Sequence, residues 1–223
     1  MNKVDVIYSA CYGGDAYPFG DMGNEVIAVR NPTTEMTNPN AILVVWGGAD
    51  INPKLYNHAQ SRTTSPSTTR DTVEWGCIQR AIELGIPMIG VCRGAQMMCA
   101  AAGGFLIQDV SGHHGQHTVT TYGGAILNVN SIHHQMLAGL EKVDHELLAW
   151  STVKRSRSYI WKDDQPYTPP VGFKEPELVY FPRIKAMAVQ WHPEMMSESS
   201  PATTFIMEQW NARTANIHST AKA

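Results

Sequence analysis

Ile86-Pro87-Met88-Ile89-Gly90-Val91 runs straight into Cys92. Arg93-Gly94-Ala95-Gln96-Met97-Met98-Cys99-Ala100-Ala101-Ala102 follows, and then Gly103-Gly104. The first six residues are a short apolar run of the kind that forms a buried strand. The ten after Cys92 are rich in helix formers, and the glycine pair supplies a stop. Cys92 therefore falls on a tight turn from strand to helix. So sharp a turn strains the backbone of its central residue and pushes that side chain outward, as at a nucleophile elbow. Gly90 and Gly94 flank it because a Cβ at either place would clash within the turn. The helix directs its positive end at the sulfur, which favours thiolate, and the Arg93 N–H becomes a candidate oxyanion donor.

A thiol becomes an enzyme's nucleophile when a base takes its proton and a third group orients the base. The chain later reads His192-Pro193-Glu194. Cysteine, histidine and carboxylate supply the three parts, whatever their order along the chain. G-x-C-x-G alone would better describe a small-residue turn around a buried cysteine. Its joint occurrence with His192 and Glu194 at a second strand end makes Cys92, His192 and Glu194 the candidate triad.

Strands and helices alternate on either side of the elbow. Residues 4–9, 25–30 and 41–46 read as buried strands. Residues 71–84 read as a helix, with Asp71 and Glu74 at capping-box spacing and Gly85 and Pro87 at its end. Shorter strands are expected near 105–110, 117–122 and 125–130, and later ones at 146–151, 177–181 and 186–191. A last helix spans about 201–214, beginning near Ser200-Pro201. This alternation predicts an α/β fold with a parallel sheet and helices on both faces. Ligands of such sheets bind beyond the carboxyl ends of the strands. Gly47-Gly48, Cys92 and His192 all follow apolar strands, so one site can hold them. Residues 57–69 read as a polar loop. Residues 154–176, with four prolines, read as a loop that is either a solvated excursion or a lid over substrate.

The chain has 223 residues, 43% of them hydrophobic and 17% charged, which fits a folded globular protein. No repeat or linker divides it, so a single domain over 1–223 is expected. The net charge of −3 comes with no basic stripe, so no nucleic-acid partner is expected. No apolar run has signal-peptide or membrane-spanning character. Four cysteines (11, 77, 92, 99) show neither zinc spacing nor disulfide density, and a reducing cytoplasm is the simplest setting. Cys77 and Cys99 read as core residues, and Cys11 lies in a Gly-rich loop. Histidines 113, 114, 117, 133 and 134 cluster in sequence, yet no HExxH or Cys-His pattern accompanies them, so no metal or other cofactor is expected. Arg70 and Glu74, four apart on a helix, read as a surface ion pair of little worth. Asp50-Ile51-Asn52-Pro53 reads either as an Asx turn with a proline stop or as a substrate contact; its place after the glycine pair favours the second.

Six ordered motifs resemble the class I glutamine amidotransferase superfamily. More narrowly, they resemble its γ-glutamyl hydrolase branch, peptidase C26, which cleaves γ-glutamyl-γ-aminobutyrate in putrescine breakdown. The motifs are Gly47-Gly48-Ala49-Asp50-Ile51-Asn52-Pro53 with Leu55-Tyr56, Arg70-Asp71-x-x-Glu74, Gly90 to Gln96, Gly103-Gly104 with Gln108-Asp109, Asn130-Ser131-Ile132-His133-His134-Gln135, and Val189-Gln190-Trp191-His192-Pro193-Glu194. The resemblance implies a flavodoxin-like class I glutamine amidotransferase fold with a central, mostly parallel sheet. It implies Cys92 as nucleophile, His192 as base and acid, and Glu194 as its orienter. Gly48 and Arg93 would offer N–H groups to the oxyanion, and Gln96 would contact the glutamyl portion. His133 would lie near the site, with Gly47, Asp50, Asn52, His134 and Gln135 completing the candidate substrate contacts. The partner implied is a small γ-glutamyl substrate, with a synthetase partner or a homodimer as further options. The chain departs from the pattern at 10–24, Gly-rich where relatives carry a long first helix, and at 154–176, which replaces an aspartate-glycine turn. Ala188 also precedes Val189 where relatives have glycine. Residues 10–24 and 154–176 are expected at the mouth of the site.

Overall fold

The computed structural model describes residues 3–215. Apolar runs in the first half form β1 (Val4–Ala10), β2 (Gly23–Val29), β3 (Ala41–Val45) and β4 (Met88–Val91), paired in parallel. The one-turn helix α1 (Pro32–Glu35) precedes β3, α2 (Thr68–Leu84) precedes β4, and α3 (Arg93–Ala102) follows it. Then come β5 (Phe105–Ile107), β6 (Asp109–Val110), β7 (His114–Thr121), β8 (Ile126–Ile132) and β9 (Met136–Ala138). Four further strands are β10 (Glu146–Ser151), β11 (Tyr159–Ile160), β12 (Pro176–Phe181) and β13 (Ala186–Val189), before α4 (Pro201–Thr214).

Nine strands form one sheet in the order β2-β1-β3-β4-β13-β12-β10-β7-β8. β13 returns to lie parallel to β4, and beyond it the pairings are antiparallel. Traced across the sheet, only β12 and β7 run against the rest, so the expected mostly parallel sheet forms. The parallel half has the flavodoxin-like doubly wound order. β3 and β4 are buried along their whole length because helices cover both faces. On one face Cys77, Ile78 and Ala81 of α2 and Met97 and Met98 of α3 pack with Leu43, Val45 and Met88. On the other, Ala202, Ile206 and Trp210 of α4 pack with Ile42, Val44 and Ile89. Burying a side chain the size of Ile206 contributes about 1.5–3 kcal/mol. The β1-to-β2 crossover carries only a 3₁₀ turn, Gly20–Met22, and Phe19 and Met22 fill part of that face.

β3, β4 and β13 are adjacent and parallel, so their carboxyl ends lie along one edge. Gly47-Gly48, Cys92 and His192 follow those three ends within a few residues. The topology thus assembles one site from three distant stretches of chain.

Two expectations need correction. α2 begins at Thr68, ahead of the expected start, and its N-cap Ser67 makes no side-chain cap bond. Asp71 and Glu74 are buried and are not a capping box. Both face Arg93: its Nη2 lies 2.5 Å from Asp71 Oδ1, and its Nη1 pairs with Glu74. Nor is Arg70–Glu74 a surface pair. The two meet at 2.6 Å, and the Glu74 side chain has no exposure at all. Spacing on one helix cannot separate a solvated pair from one buried under a partner on another, and Arg93 on α3 is that partner.

The 105–110 run divides into β5 and β6, which leave the main sheet to pair with β9 and β11. Residues 154–176 contribute β11 and are fastened down. Trp161 rests against His58, Phe105 and Tyr167, and Asp164 accepts from Ser61 Oγ at 2.7 Å and Arg62 Nε at 2.7 Å. Cys77 and Cys99 are buried as expected, and burial pushes both thiols up to about 12. Cys11 is half-buried.

Candidate functional site

Cys92 has φ 49° and ψ −103°, a left-handed conformation that costs a non-glycine residue about 1–3 kcal/mol. The surrounding turn enforces it. A Cβ on Gly90 would come within 2.5 Å of the Gly94 backbone, and one on Gly94 would collide with the Val45 carbonyl. Cys92 N donates to Val189 O at 2.7 Å, tying the elbow to the end of β13. The first N–H groups of α3, that of Arg93 among them, have no intrahelical acceptor and are free for an anion. The Arg93 side chain points away from this role, into the buried cluster with Asp71 and Glu74. Burial there pulls its pKa down to about 10.

His192 Nδ1 lies 2.6 Å from Glu194 Oε1, and its Nε2 makes no hydrogen bond. Burial alone would favour the neutral ring. The sulfur of Cys92 and the carboxylate of Glu194 outweigh burial and raise the His192 pKa to about 10. Asn130 fixes the backbone beneath the ring: its Nδ2 donates to His192 O at 2.8 Å and its Oδ1 accepts from His192 N at 2.8 Å. Gly47 meets both partners, since a Cβ there would lie 2.7 Å from His192 Cε1 and 3.5 Å from Cys92 Cβ. Gly48 has φ +150°, and a Cβ on it would run into the Arg70 guanidinium. Arg70 donates to Gly47 O at 2.9 Å and to Trp46 O at 3.2 Å while Glu74 holds its Nε. The buried pair thus grips the glycine turn from below.

A cavity of about 460 Å³ opens beside His192 and Glu194. Tyr12, Tyr17, Trp46, Ile132 and Met195 give it a mainly apolar wall, and Gly47-Gly48 form its floor. Residues 12–17 of the short β1-to-β2 crossover line it, as expected for that region, whereas none of 154–176 does.

The other candidate residues divide. Gln96 Nε2 donates to Gln135 O at 3.3 Å, and Gln135 Nε2 donates to Thr64 Oγ1 at 3.1 Å. His134 bridges Asp50 at 3.0 Å and Asp109 at 3.1 Å, and the Asp50 hydrogen bond raises its pKa. Asn52 is occupied locally, its Oδ1 accepting from Lys54 N as the N-cap of a 3₁₀ turn. His133 turns inward to a buried cluster with His113, His117, Glu175 and Glu177. Sequence reasoning missed Arg70 and Asn130 as supports of the site, although both stand in quoted motifs. It also missed Glu175 and Glu177. Two glutamates two apart at the head of an apolar strand share one face, but nothing in sequence pairs them with histidines.

Solved structures share this architecture. A provisionally assigned GMP synthase subunit from Thermoplasma acidophilum superposes with a TM-score of 0.61 at 17% identity, covering 100% of both chains. A glutamine amidotransferase from Thermotoga maritima gives 0.55 at 13% identity, over 99% of this chain and 86% of that one. A glutamine amidotransferase-like protein of Lactococcus lactis subsp. cremoris is 39% identical over 100 residues, 42% of this chain. The matched stretch spans about half (52%) of that relative's length. A protein of Schizosaccharomyces pombe provisionally named a glutamine amidotransferase is 25% identical over 79% of this chain and 73% of its own. The Peptidase C26 model matches residues 34–152, which take in the glycine turn, the α2 acids, the Cys92 elbow and the Asn130 clamp, and the chain belongs to that family.

Proposed function

We propose that the chain is a cysteine hydrolase of γ-glutamyl amides, acting through a γ-glutamyl thioester. The observation that carries this is the convergence on one sheet edge of a strained Cys92, a His192 paired to Glu194, and the Gly47-Gly48 turn. Cys92 sulfur attacks the γ-carbonyl carbon while its proton resides on His192. The oxyanion faces the N–H groups of Gly48 and Arg93, each worth about 2.7–4 kcal/mol by analogy with removal of such donors. Collapse expels the amine, which takes the proton from His192. Water, deprotonated by His192, then cleaves the thioester to glutamate and free thiol. Gln96, with Gln135, His134 and Asp50 beyond it, would hold the glutamyl portion.

The cavity supports an organic leaving amine. Its wall includes His192 and Glu194 but not Gln96, so it lies on the side where the departing nitrogen collects its proton. Ammonia needs no such space, and the mainly apolar wall suits the methylene chain of an organic amine. A glutaminase that delivers ammonia to a separate synthetase is the second reading, favoured by the GMP synthase name of one structural neighbour. On the first reading, residues 1–223 act as one catalytic domain in a reducing cytoplasm. Among the described residues no helix is long and apolar enough to cross a membrane.

The test is glutamate release from glutamine and from γ-glutamyl-γ-aminobutyrate by the wild-type chain and by Cys92→Ala. Preferential turnover of the γ-glutamyl amine, abolished in the variant, is expected. Preference for glutamine moves the assignment to the glutaminase reading. No release from either, with Cys92 inert to a glutamine-like alkylating agent, overturns both.

A further inference from the structure

We propose that His113, His133 and Glu177 bind one divalent transition metal ion of the zinc class, at a site separate from Cys92. The three side chains come from the entry to β7, the exit of β8 and β12, and their ligand atoms lie within 4.8 Å of one another. All three are at most 3% exposed. His113 Nδ1, His133 Nε2 and Glu177 Oε2 are buried without a hydrogen-bond partner. His113 Nδ1 lies 3.3 Å and His133 Nε2 3.9 Å from Glu177 Oε1. Ligands about 2.0–2.2 Å from a tetrahedral ion stand about 3.3–3.6 Å apart, so small shifts would close the set.

The opposite ring nitrogens are held as metal-binding histidines require. His133 Nδ1 donates to Gln135 O at 3.0 Å; a carbonyl only accepts, so Nε2 presents its lone pair. His113 Nε2 donates to Glu175 Oε2 at 3.2 Å, which frees Nδ1. Glu175 is fixed in turn by Arg155 N, Ser156 N and Tyr159 Oη. A carboxylate–histidine–metal relay of this kind orients ligands and raises their basicity. His117 Nε2 lies 2.9 Å from Glu177 Oε1 and steadies the carboxylate from outside the ligand set. Two imidazoles and one carboxylate suit zinc or iron(II) and leave a coordination position for water. A hydrogen-bonded His-Glu network alone would leave His113 Nδ1, His133 Nε2 and Glu177 Oε2 orphaned, with His117 Nδ1 a further buried atom without a partner.

The experiment uses the full chain without a polyhistidine tag, produced in zinc-supplemented and in iron-supplemented medium. Metal content is measured after dialysis against a weak chelator. One zinc or iron per chain is expected, and X-ray absorption at its edge should show nitrogen and oxygen neighbours at about 2.0–2.2 Å with imidazole scattering. Glu177→Gln should lose the metal, and Glu175→Gln should weaken binding about 10–100-fold. A folded chain that takes up neither metal overturns the proposal. So does a metal retained by folded Glu177→Gln, or a sulfur neighbour at about 2.3 Å, which would mean capture by a cysteine. The absorption spectrum of the wild-type protein decides even where a variant fails to fold.

Discussion

Gly47→Ala probes the packing of His192 against Cys92. The new Cβ would sit 2.7 Å from His192 Cε1 and 3.5 Å from Cys92 Cβ. Carbon atoms rest at about 3.5–4.0 Å, so the imidazole must retreat by about 0.8 Å while Cys92 hardly moves. A misplacement near 1 Å costs about 100-fold, roughly 2.7 kcal/mol of barrier. Folding should lose at most about 2.6 kcal/mol, because overpacking of about 1–3 kcal/mol is offset by about 0.4–1 kcal/mol from the smaller backbone entropy of alanine. The assay is kcat/KM on γ-glutamyl-p-nitroanilide, beside the rate of Cys92 alkylation by iodoacetamide and the thermal midpoint. Both rates should fall while the midpoint drops by less than about 10 °C, so that the variant is folded at the assay temperature. Wild-type kcat/KM in a normally folded variant would refute the placement of His192 against Gly47.

Glu194→Gln should let burial pull His192 down from about 10. In the wild type that raised value stabilises the fold fully below about 6.5, and the gain is lost as pH climbs through about 10. The variant should show a flatter decline of the urea midpoint above pH 6.5, and identical slopes would contradict the pairing. Arg93→Met strands Asp71 without its cation, leaves Glu74 only Arg70 as partner, and should cost about 3–5 kcal/mol, read from urea unfolding; a cost near zero would mean that the buried cluster is not ionised. Asn130→Ala removes both bonds to the His192 backbone and should lower kcat roughly tenfold, about 1.4 kcal/mol, with KM nearly unchanged. A fall confined to KM would place Asn130 with substrate binding instead.

The strand-elbow-helix around Cys92 was legible because its signals are local: an apolar run, two glycines and a helix stop. The convergence of Gly47-Gly48, Cys92 and His192 was legible because a parallel sheet aligns strand ends by topology. Arg70, Asp71, Glu74 and Arg93 were not, since an i,i+4 pair looks the same in solvent and in a core; only α3 packing on α2 buries it. Asn52 was read as a substrate contact; its Oδ1 also caps the Pro53–Tyr56 turn, which spacing alone did not reveal. The sequence cluster of histidines divided in space. His134 joined Asp50 and Asp109, while His113, His117 and His133 met glutamates from a strand more than 40 residues away. No single-chain spacing rule encodes such a meeting.

One carbonyl joins the histidine–glutamate cluster to the candidate site. Gln135 O accepts from His133 Nδ1 at 3.0 Å and from Gln96 Nε2 at 3.3 Å. A metal on His133 Nε2 would sharpen the Nδ1–H as a donor and fix this carbonyl, and through it the Gln96 amide. The Cys92–His192 pair hangs from other supports, the elbow and Asn130. Stripping the metal with a strong chelator should therefore raise KM for the γ-glutamyl group while Cys92 alkylation keeps its rate. The opposite pattern, slowed alkylation at constant KM, would show that the cluster acts on Cys92 and not on the proposed glutamyl contact of Gln96.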